Sequence, residues 1–175
     1  MTLKPTQNIV LIGMPGAGKS TLGVLLAKAV GYDFVDTDLM IQRQAGMTLG
    51  RYLAGRGYQA LRQLEAEVIC ALDHAGTVIA TGGSAVYSDA AMQHLRASGR
   101  VVYLQCALDI LDQRIASMDE RGIAAPSGQT LADVQAERIP LYEHYAEITV
   151  DVGSETMDRT LDKIIQLLNP RASGA

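Results

Sequence analysis

Aromatic residues are scarce in this chain. It has no tryptophan, one phenylalanine and seven tyrosines in 175 residues, and its formal charge is −4. No basic tract or interleaving of aromatic and basic residues is present, so a nucleic-acid partner is not expected. Cysteine is also sparse. Cys70 and Cys106 lie in apolar contexts without metal-site spacing. Both read as small core residues of a chain that works in a reducing compartment, which makes a cytoplasmic location the expectation. No apolar run reaches the roughly 18 residues of a membrane span. The first residues, Met1 to Gln7, lack the apolar segment of a secretory signal. There is no internal repeat and no low-complexity block.

What is present has globular proportions, with 48% hydrophobic and 19% charged residues. The length suits one domain over residues 1–175, with a frayed tail from about residue 169. The densest signal is Gly13-Met14-Pro15-Gly16-Ala17-Gly18-Lys19-Ser20, a full match to the phosphate-binding loop G-x-x-x-x-G-K-[ST]. Its glycines allow a tight wrap that points backbone N–H groups at phosphate oxygens. Lys19 offers a point charge for the β- and γ-phosphates, and Ser20 a hydroxyl for Mg²⁺. Asn8 to Ile12 reads as a buried strand before the loop. Ser20 to Val30, including Thr21 next to the loop, reads as the helix after it, ended by Gly31.

Strand-like and helical runs then alternate. Strands are expected at 32–35, 77–81, 100–104 and from 148. Helices are expected at 60–73, 90–97, 109–117, 131–145 and 155–168, with a kink or break at Pro140. A polar segment, about 118–129, reads as a loop. Five short strands alternating with helices predict a three-layer α/β/α fold around a five-stranded parallel sheet. Ligands of such sheets bind beyond the carboxyl ends of the strands. That rule selects three segments: the phosphate loop, Asp36-Thr37-Asp38, and Gly82-Gly83-Ser84.

Each further candidate admits a functional and a plainer reading. Asp36 and Asp38 on an irregular segment suit Mg²⁺ through water and a substrate hydroxyl; they also suit the cap of a helix starting near Leu39. Arg62 and Glu65, three apart on a helix, suit a ligand or a solvated ion pair. Gly82-Gly83-Ser84 offers close backbone approach with free N–H groups, or an ordinary turn. Arg114, Arg121 and Arg138 suit a transferring phosphoryl group beneath a closing loop, or surface charge.

Taken together, GMPGAGKS, F-V-D-T-D, L-R-Q-L-E, A-T-G-G and E-R-I-P-L-Y-E-H-Y-A-E resemble the shikimate kinase family, over about Asn8 to Leu168. The resemblance implies a sheet of order 2-3-1-4-5, a substrate-binding helical region near 36–65 and a mobile lid near 118–129. It also implies ATP-dependent phosphorylation of the 3-hydroxyl of shikimate, with Mg²⁺; a monomer is this reading's own expectation. By the same resemblance Lys19, Ser20 and Arg121 would meet phosphates and metal, and Arg114 the adenine. Asp36 would position Mg²⁺ and Asp38 the reacting hydroxyl. Arg62 and Arg138 would grip a carboxylate, with Glu65 orienting Arg62 and Gly82 and Gly83 offering backbone contacts.

Ser84 stands where the family has a third glycine, and Arg121-Gly122-Ile123-Ala124 where it has Arg-Pro-Leu-Leu. Gly57-Tyr58 replaces a glycine-glutamate pair, and Leu61 a common aromatic. These departures leave two alternatives: a kinase of another small hydroxy acid such as gluconate, and a nucleotide-binding module without turnover.

Overall fold

Strand β1 (Asn8–Ile12) is buried along its whole length, as its unbroken apolar run requires of a central parallel strand. Its one polar side chain, Asn8, is tied on both sides. Its amide donates to the His74 carbonyl (2.7 Å), and its Oδ1 accepts from the Thr77 N–H (3.0 Å). The structure, a computed structural model, describes residues 6–116 and 123–169. After β1 come α1 (Lys19–Val30), β2 (Asp33–Asp36), α2 (Thr37–Ala45), α3 (Leu49–Cys70) and β3 (Thr77–Ala80). A short 3₁₀ turn (Ala85–Tyr87) leads to α4 (Asp89–Ser98), β4 (Gly99–Gln105) and α5 (Leu108–Ala116). The chain closes with α6 (Leu131–Tyr145), β5 (Ile148–Asp151) and α7 (Met157–Leu168).

All sheet pairings are parallel and the order is β2-β3-β1-β4-β5. Val10 lies between Ile79 of β3 and Val101 of β4, at the centre of the main core. Helices pack on the sheet in a three-layer arrangement, α1 against α7 and α3 against α4. Among the described residues no helix is long and apolar enough to cross a membrane.

Several expectations change in detail. The segment Asp36-Thr37-Asp38 is not irregular. Asp36 caps α2, which begins at Thr37, and Asp38 sits in its first turn. The anticipated helix at 60–73 is the second part of α3, which bends at Gly57 (φ 82°, ψ 167°) and begins at Leu49 under a Thr48 cap. Helix α6 is continuous through Pro140. A Thr130–Asp133 capping box fixes its start, and the buried Arg138 and Tyr142 hold it on either side of the proline. Cys106 is buried as expected, but Cys70 is exposed at the end of α3. Residues 123–129 form neither helix nor strand. Arg121, Gly122 and the rest of 117–122 lie outside the described residues, as does the tail beyond Asn169.

Tyr142 joins α6 to the segment after β3. It is fully buried, stacks on Tyr103 at 5.0 Å between ring centroids, and donates its hydroxyl to the Gly83 carbonyl (2.6 Å). Burial pushes its phenol pKa up, so the donor stays protonated across any working pH. Tyr142→Phe keeps the ring and leaves a half-buried carbonyl without its donor, which is expected to lower the unfolding free energy by about 1 kcal/mol in urea titrations.

Candidate active site

The phosphate loop takes its shape from its glycines. Gly13 has φ 144°, and a Cβ there would stand 2.6 Å from the Leu104 carbonyl oxygen of the neighbouring strand. Gly18 caps α1 in the left-handed region, at φ 93°. Met14 and Ala17 turn their side chains into the core. Pro15, Gly16, Gly18, Lys19, Ser20 and Thr21 line the phosphate side of a pocket at the carboxyl edge of the sheet. The Lys19 ammonium donates to the carbonyls of Gly13 (2.7 Å) and Met14 (2.8 Å). Burial pushes its pKa down to about 8, against the pull of the Asp38 and Glu65 carboxylates. Arg114 reaches the loop from α5, donating to the Gly16 carbonyl (3.2 Å).

Across the pocket stand Asp38, Glu65, Gly82, Gly83, Ser84 and Arg138. Four elements supply them: α2, α3, α6 and the segment after β3. Asp36 stands behind Asp38, one carboxylate oxygen accepting from the Asp38 N–H (2.9 Å). Gly82 is a point of close approach. A Cβ there would strike Glu65 Oε1 and come within 2.8 Å of Asp38 Oδ1, so two carboxylates flank one glycine. Its N–H is not free, as a ligand contact would need, because it donates to the buried Thr37 hydroxyl (3.1 Å).

The two arginines converge on one atom. Arg62 donates through Nε (3.2 Å) and NH2 (3.0 Å) to the Ala124 carbonyl, and Arg138 donates to the same oxygen through NH2 (2.9 Å). Arg138 has no exposure to water. Tyr87 organises both. The Arg62 guanidinium lies 3.5 Å from its ring centroid, and its hydroxyl accepts from Arg138 Nε (3.4 Å). The same hydroxyl bonds to the Glu137 carboxylate and holds it below its ordinary range. Tyr58 also faces Arg62, at 5.0 Å.

The expected link between Arg62 and Glu65 is absent. They form no ion pair among the described residues, and Glu65 is buried rather than solvated. Glu65 instead accepts a hydrogen bond on Oε2 from the Ser84 hydroxyl, while Oε1 has no partner among the described residues. Burial pushes the Glu65 pKa up to about 7; the Ser84 hydrogen bond pulls it down, and the Asp38 charge adds to the rise.

Thr37, Tyr87 and Ala124 were not singled out from the sequence. Tyr87 stands three residues after Ser84 but has no motif of its own. Thr37 and Ala124 act through a buried hydroxyl and a backbone carbonyl, which leave no local pattern.

A carboxyl group with a folded pKa near 7 and an ordinary value near 4.5 makes the folded state bind more protons between those limits. Its contribution to stability is full below the lower value and is lost as pH rises through the upper one. The gap corresponds to about 3 kcal/mol. Glu65→Gln removes this dependence: relative to the variant, the parent protein is expected to lose stability between pH 4.5 and 7. Urea unfolding at pH 4.5 and 8 measures it, and parallel curves would remove Glu65 as the source.

Comparison with known proteins agrees with the pocket. A family model described as shikimate kinase matches residues 15–169. Shikimate kinase 2 of Yersinia pseudotuberculosis serotype O:3 (strain YPIII) is 37% identical over 168 residues, covering 93% of this chain and 96% of that protein. The solved structure of shikimate kinase from Acinetobacter baumannii in complex with shikimate has a TM-score of 0.84 at 31% identity, covering 93% of each chain. That of shikimate kinase from Aquifex aeolicus vf5 has a TM-score of 0.78 at 26% identity, covering 97% of this chain and 100% of that one. With a family match over most of its length and a relative at this level of identity, the chain belongs to the shikimate kinase family.

Proposed function

We propose that this chain transfers the γ-phosphoryl group of ATP to the 3-hydroxyl of shikimate, giving shikimate 3-phosphate and ADP in the route to the aromatic amino acids. The observation that carries the reading is the convergence of Arg62 and Arg138 on one oxygen, the Ala124 carbonyl, across the pocket from the phosphate loop. Two guanidiniums aimed at a single acceptor suit a carboxylate, which offers two oxygens and a full charge in place of that carbonyl. Asp38, Lys19, Arg138 and Ala124 line one pocket; Arg62 is not among its lining residues and reaches the Ala124 carbonyl from behind it. A hydroxy acid held by its carboxylate would present a hydroxyl to Asp38 and the γ-phosphate together.

In this reading Asp38 orients the hydroxyl and accepts its proton as the new O–P bond forms and the bond from Pγ to the ADP oxygen breaks. Lys19 and the loop N–H groups hold the phosphates, and Lys19 gains the anionic partner that its burial withholds. Gly83 offers backbone to the acceptor, and Arg114 faces the nucleotide side. Arg121 is proposed to reach the transferring phosphoryl group from a lid near 118–129. Mg²⁺ keeps several waters and takes one or two protein oxygens besides phosphate. The Ser20 hydroxyl, which lines the pocket, would be its protein donor, with Asp36 from the start of α2 holding it through water, and its chemistry would be charge neutralisation on the β- and γ-phosphates.

We place this activity in one 175-residue domain acting as a monomer in the cytoplasm. Both cysteines are free, as a reducing compartment would keep them. A gluconate-type acceptor is not favoured, because the family matched is that of shikimate kinases. An inert nucleotide module leaves the carboxylate clamp unexplained.

Coupled ADP release with shikimate, with and without Mg²⁺, tests the assignment; no turnover in either would refute it. Asp38→Asn is expected to lower kcat by orders of magnitude with an unchanged Tm. Arg62→Ala removes a charge-assisted pair worth about 1.5–3 kcal/mol, so KM for shikimate is expected to rise roughly tenfold to a hundredfold while KM for ATP holds. An unchanged shikimate KM would dismiss the clamp.

A further inference from the structure

The acceptor shared by Arg62 and Arg138 is one that a ligand displaces. The Ala124 carbonyl takes Arg62 Nε and NH2 and Arg138 NH2, the donors that a bound carboxylate would claim. Once it leaves, both side chains need a support that stays. Among the described residues neither forms an ion pair. Tyr87 is the contact they keep in common. Its ring centroid lies 3.5 Å from the Arg62 guanidinium and 5.3 Å from that of Arg138, while Tyr58 stands farther from Arg62, at 5.0 Å. A ring against the face of a guanidinium holds the cation without using any of its in-plane N–H donors. The Tyr87 hydroxyl donates to the Glu137 carboxylate, which leaves its oxygen free to accept from Arg138 Nε, a donor that Ala124 does not use.

The fold fixes where this residue stands. Tyr87 ends the 3₁₀ turn after β3, and its N–H donates to the Ser84 carbonyl (3.1 Å). The turn packs against both α3 and α6, the helices that carry the two arginines. Tyr87 is not among the residues lining the pocket, so it acts on an acceptor through those arginines.

We propose that Tyr87 is a positioning residue that sets the affinity for the acceptor and its selection as an ionised acid: the ring holds Arg62 by its face and the hydroxyl holds Arg138 by Nε, so both guanidiniums keep their remaining donors aimed at one carboxylate. This rests on the shikimate reading above, in which the arginines grip the acid. Side chains fixed before a ligand arrives lose less freedom when it binds. The selectivity follows from charge. A carboxylate brings two anionic oxygens to these donors, whereas a neutral ester brings one carbonyl, no more than Ala124 already supplies.

The test is calorimetric binding and steady-state kinetics of the full chain with shikimate and with methyl shikimate, its neutral ester. Tyr87→Phe and Tyr87→Leu are compared with the parent protein, alone and combined with Arg62→Ala. Tyr87→Leu loses ring and hydroxyl, and is expected to weaken shikimate about tenfold in Kd and KM, with the loss in KM rather than kcat. Tyr87→Phe keeps the ring and is expected to weaken it about threefold. For methyl shikimate both losses are expected to stay within about twofold. In the Arg62→Ala background the ring has nothing to hold, and Tyr87→Leu and Tyr87→Phe are expected to bind shikimate equally. Equal losses for acid and ester would overturn the proposal, as would an effect of Tyr87→Leu that keeps its full size without Arg62. Parent affinity in Tyr87→Phe, which preserves the packing of the ring, would overturn the part given to the hydroxyl. A parent protein that binds no shikimate would refute the shikimate reading and this proposal with it. A parent that binds shikimate normally beside indifferent Tyr87 variants would refute this proposal alone.

Discussion

Three ionisable groups are withdrawn from water at the carboxyl edge of one sheet: Lys19, Glu65 and Arg138. A charge in that condition is unfavourable unless fixed dipoles replace its hydration. Much of the local architecture can be understood as supplying those dipoles. The phosphate loop turns two carbonyls onto Lys19. Residue 124 turns a carbonyl onto Arg138, and Tyr87 adds its hydroxyl. Ser84 turns a hydroxyl onto Glu65. The dipoles on Lys19 and Glu65 belong to the fold and are set before a ligand arrives, the condition under which fixed dipoles stabilise a transferring phosphoryl group best, whereas the Ala124 carbonyl on Arg138 is the one a bound carboxylate would replace.

The segment after β3 ties these supports together. In three residues it donates the Gly82 N–H to the Thr37 hydroxyl oxygen, accepts the Tyr142 hydroxyl at the Gly83 carbonyl, and grips Glu65 through Ser84. Helices α2, α6 and α3 are thereby fastened to one point beside the phosphate loop. The sheet order makes this possible: β3 pairs with β1, so the segment after β3 emerges next to the loop after β1. The two halves of the pocket face each other because two parallel strands end side by side.

Most strands and helices were readable because burial imposes a period. Asn8 to Ile12 had to be central, since nothing in it tolerates water, and Leu61, Leu64 and Val68 had to face inward from one side of α3. The bend at Gly57 and the helix before it were not readable in that way, because a glycine in a helical pattern does not announce which φ it adopts. The Asp36-Thr37-Asp38 segment reads from sequence either as an irregular ligand-facing stretch or as the cap of a helix starting near Leu39, and spacing does not choose between them. The structure takes the capping alternative two residues earlier, at Asp36, whose carboxylate accepts from the Asp38 N–H. Pro140 calls for a kink or a break in α6; it does not break the helix, because the anchoring of Arg138 and Tyr142 outweighs one missing hydrogen bond.

The sequence by itself determined the phosphate loop, its strand and its helix. Their requirements are local, and eight consecutive residues carry the turn, the charge and the hydroxyl. Only the tertiary structure decided what Arg62 and Glu65 do. Three apart on one helix, they would have paired in isolation. Packing instead brings Ala124 to one and Ser84 to the other, across sequence separations of 62 and 19 residues. Partners that distant are chosen by where the sheet and helices place them, and no spacing along the chain encodes the choice.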